Sequence, residues 1–267
     1  VLLLGSDRRS SADPSWRTDA IIVVAIRPQA RVVAMLSIPR DLWVTIPGYG
    51  QERINTADCL GEKESGPGGG PALVAAALSE SLGIAVDAYA RIDFAGLERV
   101  IDTLGGITVT SDRVFDEPMD EGDGGAEWRL RVAPGTQHMD GRTAVGYARS
   151  RRDTSDFDRS RRQQQILLAV RDAAMRPMVL PRVPALIRAL SNAVDTDLSS
   201  DEVLSLAHLA ARMEPTACRT RVFDGTMAHD WVTPEGAMVL LPNRARIEEV
   251  WAELTEAPTP SPAPAGP

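Results

Sequence analysis

The run AIIVVAI, residues 20–26, limits the possible folds more than any other stretch of the chain. Seven consecutive apolar residues are too few for a bilayer span, which needs about 18 to 20. Their β-branched character suits a buried or half-buried strand. Val1 to Leu4, Val32 to Ser37 and Leu42 to Ile46 are similar short runs bounded by turn residues. Helical spacing takes over afterwards, in PALVAAALSESLG (71–83), DFAGLERVIDTLGG (93–106) and DGRTAVGYARS (140–150). The first two end in the glycine that often terminates a helix. GITVTSD (106–112) and WRLRVAPG (128–135) read as strands, with the acidic DEPMDEGDGGAE between them as a solvated loop.

From Phe157 to about Arg212 the pattern is mostly helical, broken near Pro177, Pro181 and Pro184. RTRVFDG (219–225) is expected to return one strand to the sheet, and NRARIEEVWAELTEA (243–257) reads as a last helix. These segments predict one α/β domain over residues 1–256. APTPSPAPAGP, residues 257–267, is a Pro/Ala tail that cannot bury a core and is expected to be disordered. The opening VLLLGSD already reads as a core strand, so the chain is expected to be a fragment preceded by an anchor or signal.

The net charge of −8 and pI near 5.0 argue against a nucleic-acid binder, which usually carries a broad basic face. Residues 149–162 nevertheless contribute +6 −3 = +3, leaving −11 for the rest. Lys63 is the only lysine, so almost every cation is a guanidinium, a bias that genomic base composition explains more readily than a preference for bidentate anion contacts. Cys59, Cys218 and three scattered histidines form no zinc-ligand pattern.

Charged residues cluster in four places. In GSDRRSSADPSWRTDA, Asp7 with Arg9 and Arg17 with Asp19 flank a loop between two expected strands. Two carboxylates brought together there, with waters and a phosphate, are a ligand set that Mg²⁺ accepts. The plainer alternative is that Asp7 caps a turn and Asp19 pairs with Arg17. SIPRDLWV places Arg40 and Asp41 after a strand, and ERINTAD adds Arg53 and Asn55.

The fourth cluster, YARSRRDTSDFDRSRRQQQ (147–165), contains Arg149, Arg151, Arg152, Arg159, Arg161 and Arg162. With Asp156 or Asp158 as N-cap, Arg159, Arg162, Gln163 and Ile166 share the packed face of a helix while Arg161 points away. Cations in a first helical turn oppose the helix dipole by about 0.3 to 1 kcal/mol each. An anion would reverse that sign, and the first-turn amides would add to its site. Surface pairing with Asp153, Asp156 and Asp158 is the competing account.

The ordered series GSDRR, RTDAIIVV, LSIPRDLWV, ERINTAD, RIDFAGLERVIDTLGGITV, APGTQHMDGRTAVGYARSR and SDFDRSRRQQQ resembles the LytR-CpsA-Psr family of bacterial cell-wall enzymes. The likeness runs from the first residues to about Ala173. It implies a three-layer α/β/α sandwich around a mixed sheet, with a hydrophobic groove for a polyprenyl tail. It also implies a membrane-anchored domain on the outer face of the cytoplasmic membrane.

The implied reaction moves a glycopolymer from a polyprenyl-pyrophosphate carrier to peptidoglycan, as a phosphodiester at the C6 hydroxyl of N-acetylmuramic acid. A polyprenyl-pyrophosphate hydrolase using the same pocket and a non-catalytic envelope regulator are the alternatives. Asp7 and Asp19 match the family's Mg²⁺ ligands, with Mn²⁺ a second candidate ion. Arg40, Arg149, Arg151, Arg159, Arg162 and Gln163 match its pyrophosphate-binding and catalytic set. Arg9, Arg17, Arg53 and Asn55 are further substrate contacts, and Asp156 or Asp158 is a candidate acceptor of the sugar hydroxyl's proton. Outside the cytoplasm, Cys59 and Cys218 become expected disulfide partners, Arg53 stands where the family more usually has lysine, and CLGEKESGPGGGPA (59–72) is expected as a loop longer and more Gly/Pro-rich than the family's usual one.

Overall fold

A computed structural model describes residues 1–8, 16–30, 32–119, 127–150, 155–212 and 218–256. Along the chain, β1 (Leu2–Ser6), β2 (Thr18–Arg27) and β3 (Val32–Ile38) are followed by the β4 (Trp43–Ile46) and β5 (Gly50–Arg53) hairpin. A 3₁₀ turn, Ile54–Thr56, leads into helices α1 (Ala57–Ser65) and α2 (Gly69–Leu82). Next come β6 (Tyr89–Asp93), α3 (Phe94–Leu104), β7 (Ile107–Ser111), β8 (Phe115–Met119), β9 (Trp128–Val132), β10 (Gly135–Met139) and α4 (Gly141–Arg149). The rest is α5 (Asp156–Ala174), a 3₁₀ turn Pro177–Arg182, α6 (Val183–Ala193), β11 (Val194–Thr196), α7 (Ser200–Arg212), β12 (Cys218–Val222), β13 (Ala228–Val232), β14 (Met238–Pro242) and α8 (Arg244–Thr255).

The central sheet has the order β11-β6-β1-β2-β3-β12. It is mixed: β1 runs parallel to β6 and antiparallel to β2, while β12 returns parallel to β3. Val23 and Leu36 point to a core completed by Leu78 and Leu82 of α2 and Ile247 and Val250 of α8. Ile22, Val24 and Met35 point the other way, towards Leu167 and Leu168 of α5. Both faces are therefore covered, and this is why residues 21–24 are buried without interruption. The result is the expected α/β/α sandwich. A further core joins α3, α4 and α5 to β7, β8 and β9 through Ile101, Phe115, Leu130 and Tyr147.

Two readings need correction. Part of the expected acidic loop is strand β8, paired antiparallel to β9 from Phe115↔Val132 to Met119↔Trp128. Its inner face carries Phe115, Glu117 and Met119, and the buried Glu117 accepts a hydrogen bond from the Ser150 hydroxyl. A carboxylate on the inner face hid the alternation. The stretch expected as a long Gly/Pro loop contains α1, packed tightly on α2. A Cβ on Gly70 would sit 2.1 Å from Asp58 Oδ1, and one on Gly61 would sit 2.3 Å from the Gly69 carbonyl oxygen. The glycines permit backbone contact between helices.

The expected disulfide does not form. Cys59 is buried in α1, on the α2 side, whereas Cys218 packs with Ile22, Val24 and Met35 on the opposite face of the sheet. The sheet separates the two thiols. No helix among the described residues is long and apolar enough to cross a membrane. Residues 257–267 lie outside the described residues.

Candidate active site

The site forms where β1, β2, the end of β3 and the start of α5 converge. The register of β1 and β2 passes from Gly5↔Ala20 to Ser6↔Thr18, so Asp19 is the extra residue of a β-bulge. A bulge re-aims the side chain it carries. Directly beyond it, the Asp7 backbone N–H donates to the Arg17 carbonyl oxygen at 3.0 Å, and the Arg17 N–H donates to Asp7 Oδ1 at 2.5 Å. Asp7 thus takes its position from backbone pairing, and Asp7 and Asp19 stand at one end of adjacent strands, as expected. Arg9 lies outside the described residues.

Arg40 follows β3 and donates from Nη1 to Asp19 Oδ1 at 2.7 Å, while its Nε lies 3.4 Å from Asp41 Oδ2. Burial opposes its charge, but Asp19 more than offsets this and raises its pKa. Arg53 Nε lies 3.6 Å from the other Asp41 oxygen, and its Nη2 donates to the Met238 carbonyl oxygen at 2.9 Å. Arg53 therefore braces Asp41 and ties this corner to β14. Asn55 is buried in the 3₁₀ turn, and its backbone N–H donates to the Arg40 carbonyl oxygen at 3.2 Å. Its side-chain Oδ1 is buried without a hydrogen-bond partner.

The N-cap of α5 is Ser155, not Asp156 or Asp158. Ser155 and Asp158 close a reciprocal capping box, with the Asp158 N–H donating to Ser155 Oγ and the Ser155 N–H donating to Asp158 Oδ2. Asp158 also pairs with Arg161 at 3.0 Å. Burial works against its charge, but the bonds from Ser155 outweigh it and hold the carboxyl below its ordinary pKa. Asp158 is thus occupied at the cap.

Asp156 is different. Burial pushes its carboxyl up; Arg159, 3.1 Å away, pulls it down, and a hydrogen bond with the Asp41 carboxyl raises it again. Both carboxyls are half-buried, and the negative charge of Asp41 beside it favours the neutral form of Asp156. Asp41, Asp156 and Asp230 line a cavity of about 290 Å³ walled on its apolar side by Phe157 and Leu240.

Arg159 and Arg162 are both buried, as the helical face implied, but they do different work. Arg159 faces Asp156 at the site. Arg162 turns back to the end of α4, where Nε donates to the Tyr147 carbonyl oxygen at 3.0 Å and Nη2 to that of Ser150. Its guanidinium lies over Phe115 and Tyr147, and burial lowers its pKa. It satisfies carbonyls that α4 leaves open. Arg149, the last residue of α4, lies over the Phe94 ring at 4.8 Å. Arg151 falls outside the described residues.

The three glutamines of the motif fasten α5 in three directions. Gln163 donates to the Asp19 carbonyl oxygen at the bulge, 3.2 Å, and Gln164 to the Arg221 carbonyl oxygen of β12, 2.8 Å. Gln165 accepts from the Tyr147 hydroxyl of α4 at 3.2 Å. Only Gln163 was singled out from sequence, because it falls on the helical face shared by Arg159, Arg162 and Ile166.

An ion network also escaped the sequence reading. Arg91 of β6 donates to Asp58 Oδ1 at 2.8 Å, to Glu62 at 3.1 Å and to Asp195 at 2.6 Å. The Thr18 hydroxyl, beside Asp19, donates to Asp58 Oδ2 at 3.0 Å. Trp16 packs between Arg8 and Arg91, with guanidinium-to-ring distances of 5.4 and 5.5 Å. This network anchors the far end of the Asp7–Asp19 loop. Acidic and basic partners this far apart in sequence leave no local spacing signal.

Past the charged corner the surface becomes apolar. Leu167 and Leu168 of α5, Val24 of β2, Met35 of β3 and Leu206 and Leu209 of α7 line a cavity of about 310 Å³. It adjoins one of about 890 Å³ that shares Val24, Leu206 and Leu209.

The LytR_cpsA_psr family model matches residues 1–256. The chain belongs to this family. TagU of Oceanobacillus iheyensis, a polyisoprenyl-teichoic acid–peptidoglycan teichoic acid transferase, is 32% identical over 208 residues, covering 77% of this chain and 61% of TagU. The chain thus spans less than two thirds of that relative's length. B. subtilis TagV superposes with a TM-score of 0.77 at 27% identity, over 98% of this chain and 97% of TagV. TagT bound to LI-WTA superposes with a TM-score of 0.71 at 25% identity, covering 95% of this chain and 87% of TagT. The mixed sheet with helices on both faces is the architecture this LytR_cpsA_psr chain shares with them.

Proposed function

We propose that this chain transfers a cell-wall glycopolymer from a polyprenyl-pyrophosphate carrier to the C6 hydroxyl of N-acetylmuramic acid in peptidoglycan, on the outer face of the cytoplasmic membrane. The observation that supports this most strongly is the polarity of α5. Its first turns carry Arg159 and Gln163 at the charged corner, and Leu167, about 6 Å further along the axis, begins the apolar cavity wall. β2 has the same polarity, from Asp19 to Val24. An amphiphile with a pyrophosphate head and a hydrocarbon tail fits that arrangement. The names of TagU and TagT agree with it.

The donor set of Asp7 and Asp19 suits Mg²⁺, with Mn²⁺ the alternative. Both are hard carboxylate ligands, and the described residues hold no cluster of three or more His, Cys, Asp or Glu for an all-protein cage. Such a site leaves positions for phosphate oxygens, and the bound ion would neutralise charge on them.

Arg40, held between Asp19 and Asp41, presents a guanidinium to the non-bridging oxygens, and Arg159 does so from the helix start. Arg149 and Arg151 are assigned phosphate contacts by the family motif they match. Arg162 positions the α4 end instead of touching phosphate, and Gln163 fixes the bulge carbonyl. Asp156, its pKa raised by burial and by the neighbouring Asp41, accepts the proton of the attacking hydroxyl. Its oxygen bonds to the glycan-linked phosphorus, and the bridging bond to the lipid-linked phosphorus breaks. Polyprenyl phosphate leaves.

Incubation with a lipid-pyrophosphate glycan and peptidoglycan fragments should yield the glycan–peptidoglycan phosphodiester, detectable by mass spectrometry. Cleavage of the carrier to polyprenyl phosphate and free glycan phosphate alone would make the protein a hydrolase and overturn the transfer reading. Asp156→Asn should cut kcat far more than KM, while Asp158→Asn should mainly lower thermal stability.

A further inference from the structure

We propose that the segment from Met175 to Leu190 is a docking surface for an anionic lipid bilayer. Among the described residues, thirteen large hydrophobic side chains are exposed, and eight of them lie between Met175 and Leu204. Met178 and Leu180 are 72% and 71% exposed, yet Val179 between them is buried at 2%. The buried valine, with Pro177 and Pro181 on either side, holds the two apolar neighbours outward on a stiff 3₁₀ turn. The next helix continues the surface. Leu186, Ala189 and Ala193 of α6 pack on the core, while Val183, Ile187 and Leu190, at i, i+4 and i+7, face outward. A solvated helix would carry polar residues on that face.

Charge selects the partner. Residues 173–194 contain Arg176, Arg182 and Arg188 and no acidic residue, in a chain of net charge −8. Arg182 and Arg188 are exposed. Apolar side chains rimmed by arginine match the boundary between the headgroups and acyl chains of an acidic membrane. A contiguous apolar surface of this kind marks an interaction site.

Its function rests on the transferase reading: the segment continues through β11 into α7, whose Leu206 and Leu209 line the apolar cavity, so docking would bring the cavity to the bilayer that holds the carrier. The test does not depend on that reading, because it needs neither carrier nor turnover.

Sedimentation of the whole chain with phosphatidylcholine vesicles, with and without phosphatidylglycerol, measures the contact. The protein should partition onto phosphatidylglycerol-containing vesicles, and high salt should weaken the partitioning. The double variant Met178→Asp, Leu180→Asp should lose about tenfold or more in partitioning, with an unchanged Tm because both side chains are exposed. Arg182→Glu with Arg188→Glu should lose a similar factor at low salt, at about fivefold per arginine removed. Leu180→Trp should show a blue-shifted emission on binding. Wild-type partitioning by the aspartate variant would overturn the proposal. So would a concentration-dependent dimer that the same substitutions dissociate, since it would assign the surface to a second copy of the chain.

Discussion

Arg91→Met tests whether the buried ion network is what holds the Asp7–Asp19 loop in place. Arg91 is 6% exposed and its partner Asp58 is 0% exposed. Methionine keeps most of the stem volume and removes the charge, leaving Asp58 in the core with only the Thr18 hydroxyl among its two side-chain donors. Stranding one member of a buried ion pair costs about 3 to 5 kcal/mol. In a domain of this size about 2 to 4 °C of Tm is lost per kcal/mol. Calorimetry at pH 8 should therefore show a fall of about 6 to 20 °C.

The pH dependence has a defined sign. Burial pushes the Asp58 carboxyl from 3.8 up to about 6, even with Arg91 and Thr18 pulling it down. Below about pH 4 it is protonated in the folded and unfolded chains alike. As pH rises through about 6, the native state must ionise it in the core, and the stability contributed by this group falls by about 3 kcal/mol. Removing Arg91 takes away the main attraction for the ionised form, so the window moves upward. The loss should accordingly be smaller at pH 5 than at pH 8. Asp58→Asn combined with Arg91→Met should recover stability at pH 8, because the buried charge is gone. A Tm fall of under 2 °C for Arg91→Met, or a double variant no more stable than the single one at pH 8, would refute the reasoning.

Ser155→Ala removes the capping box of α5 and should cost about 1 kcal/mol, read as a Tm fall of about 2 to 4 °C. Arg162→Lys cannot reproduce a planar fork reaching the carbonyls of Tyr147 and Ser150. It should lower Tm more than Arg40→Lys, whereas Arg40→Lys should lose more turnover than stability; chemical denaturation and the transfer assay together separate the two. Thiol titration in denaturant should find two reactive thiols per chain, and reductant should leave Tm unchanged, because Cys59 and Cys218 lie on opposite faces of the sheet.

How far the chain can be read without coordinates depends on how local each signal is. AIIVVAI announces its strand because consecutive β-branched residues need nothing beyond themselves to favour extended backbone, and RTRVFDG announces β12 by Thr220 and Val222 alternating with arginine. Helix periodicity placed Arg159 and Arg162 on the inner face, and Arg161, 65% exposed, on the outer one. β8 was lost because Glu117 occupies an inward position, and α1 because Gly61 and the α2 glycines Gly69 and Gly70 serve contact between the two helices instead of a turn. Candidate ligands for the metal and phosphates were legible as motifs, since the backbone that presents them is continuous.

The division of labour among those residues was decided only by the fold. Arg159 and Arg162 are three residues apart on one helix face, yet one meets Asp156 and the other the end of α4. The difference comes from what each meets across space. Asp156 and Asp158 looked equivalent in sequence. A capping box occupies Asp158, while burial beside Asp41 makes Asp156 the group suited to hold a proton. Sequence by itself determined which residues are charged, which runs extend and which coil, because these follow from side-chain chemistry and local backbone preference. Tertiary structure decided which charges become partners, because pairing, burial and pKa depend on distances between segments that the chain brings together only when it folds.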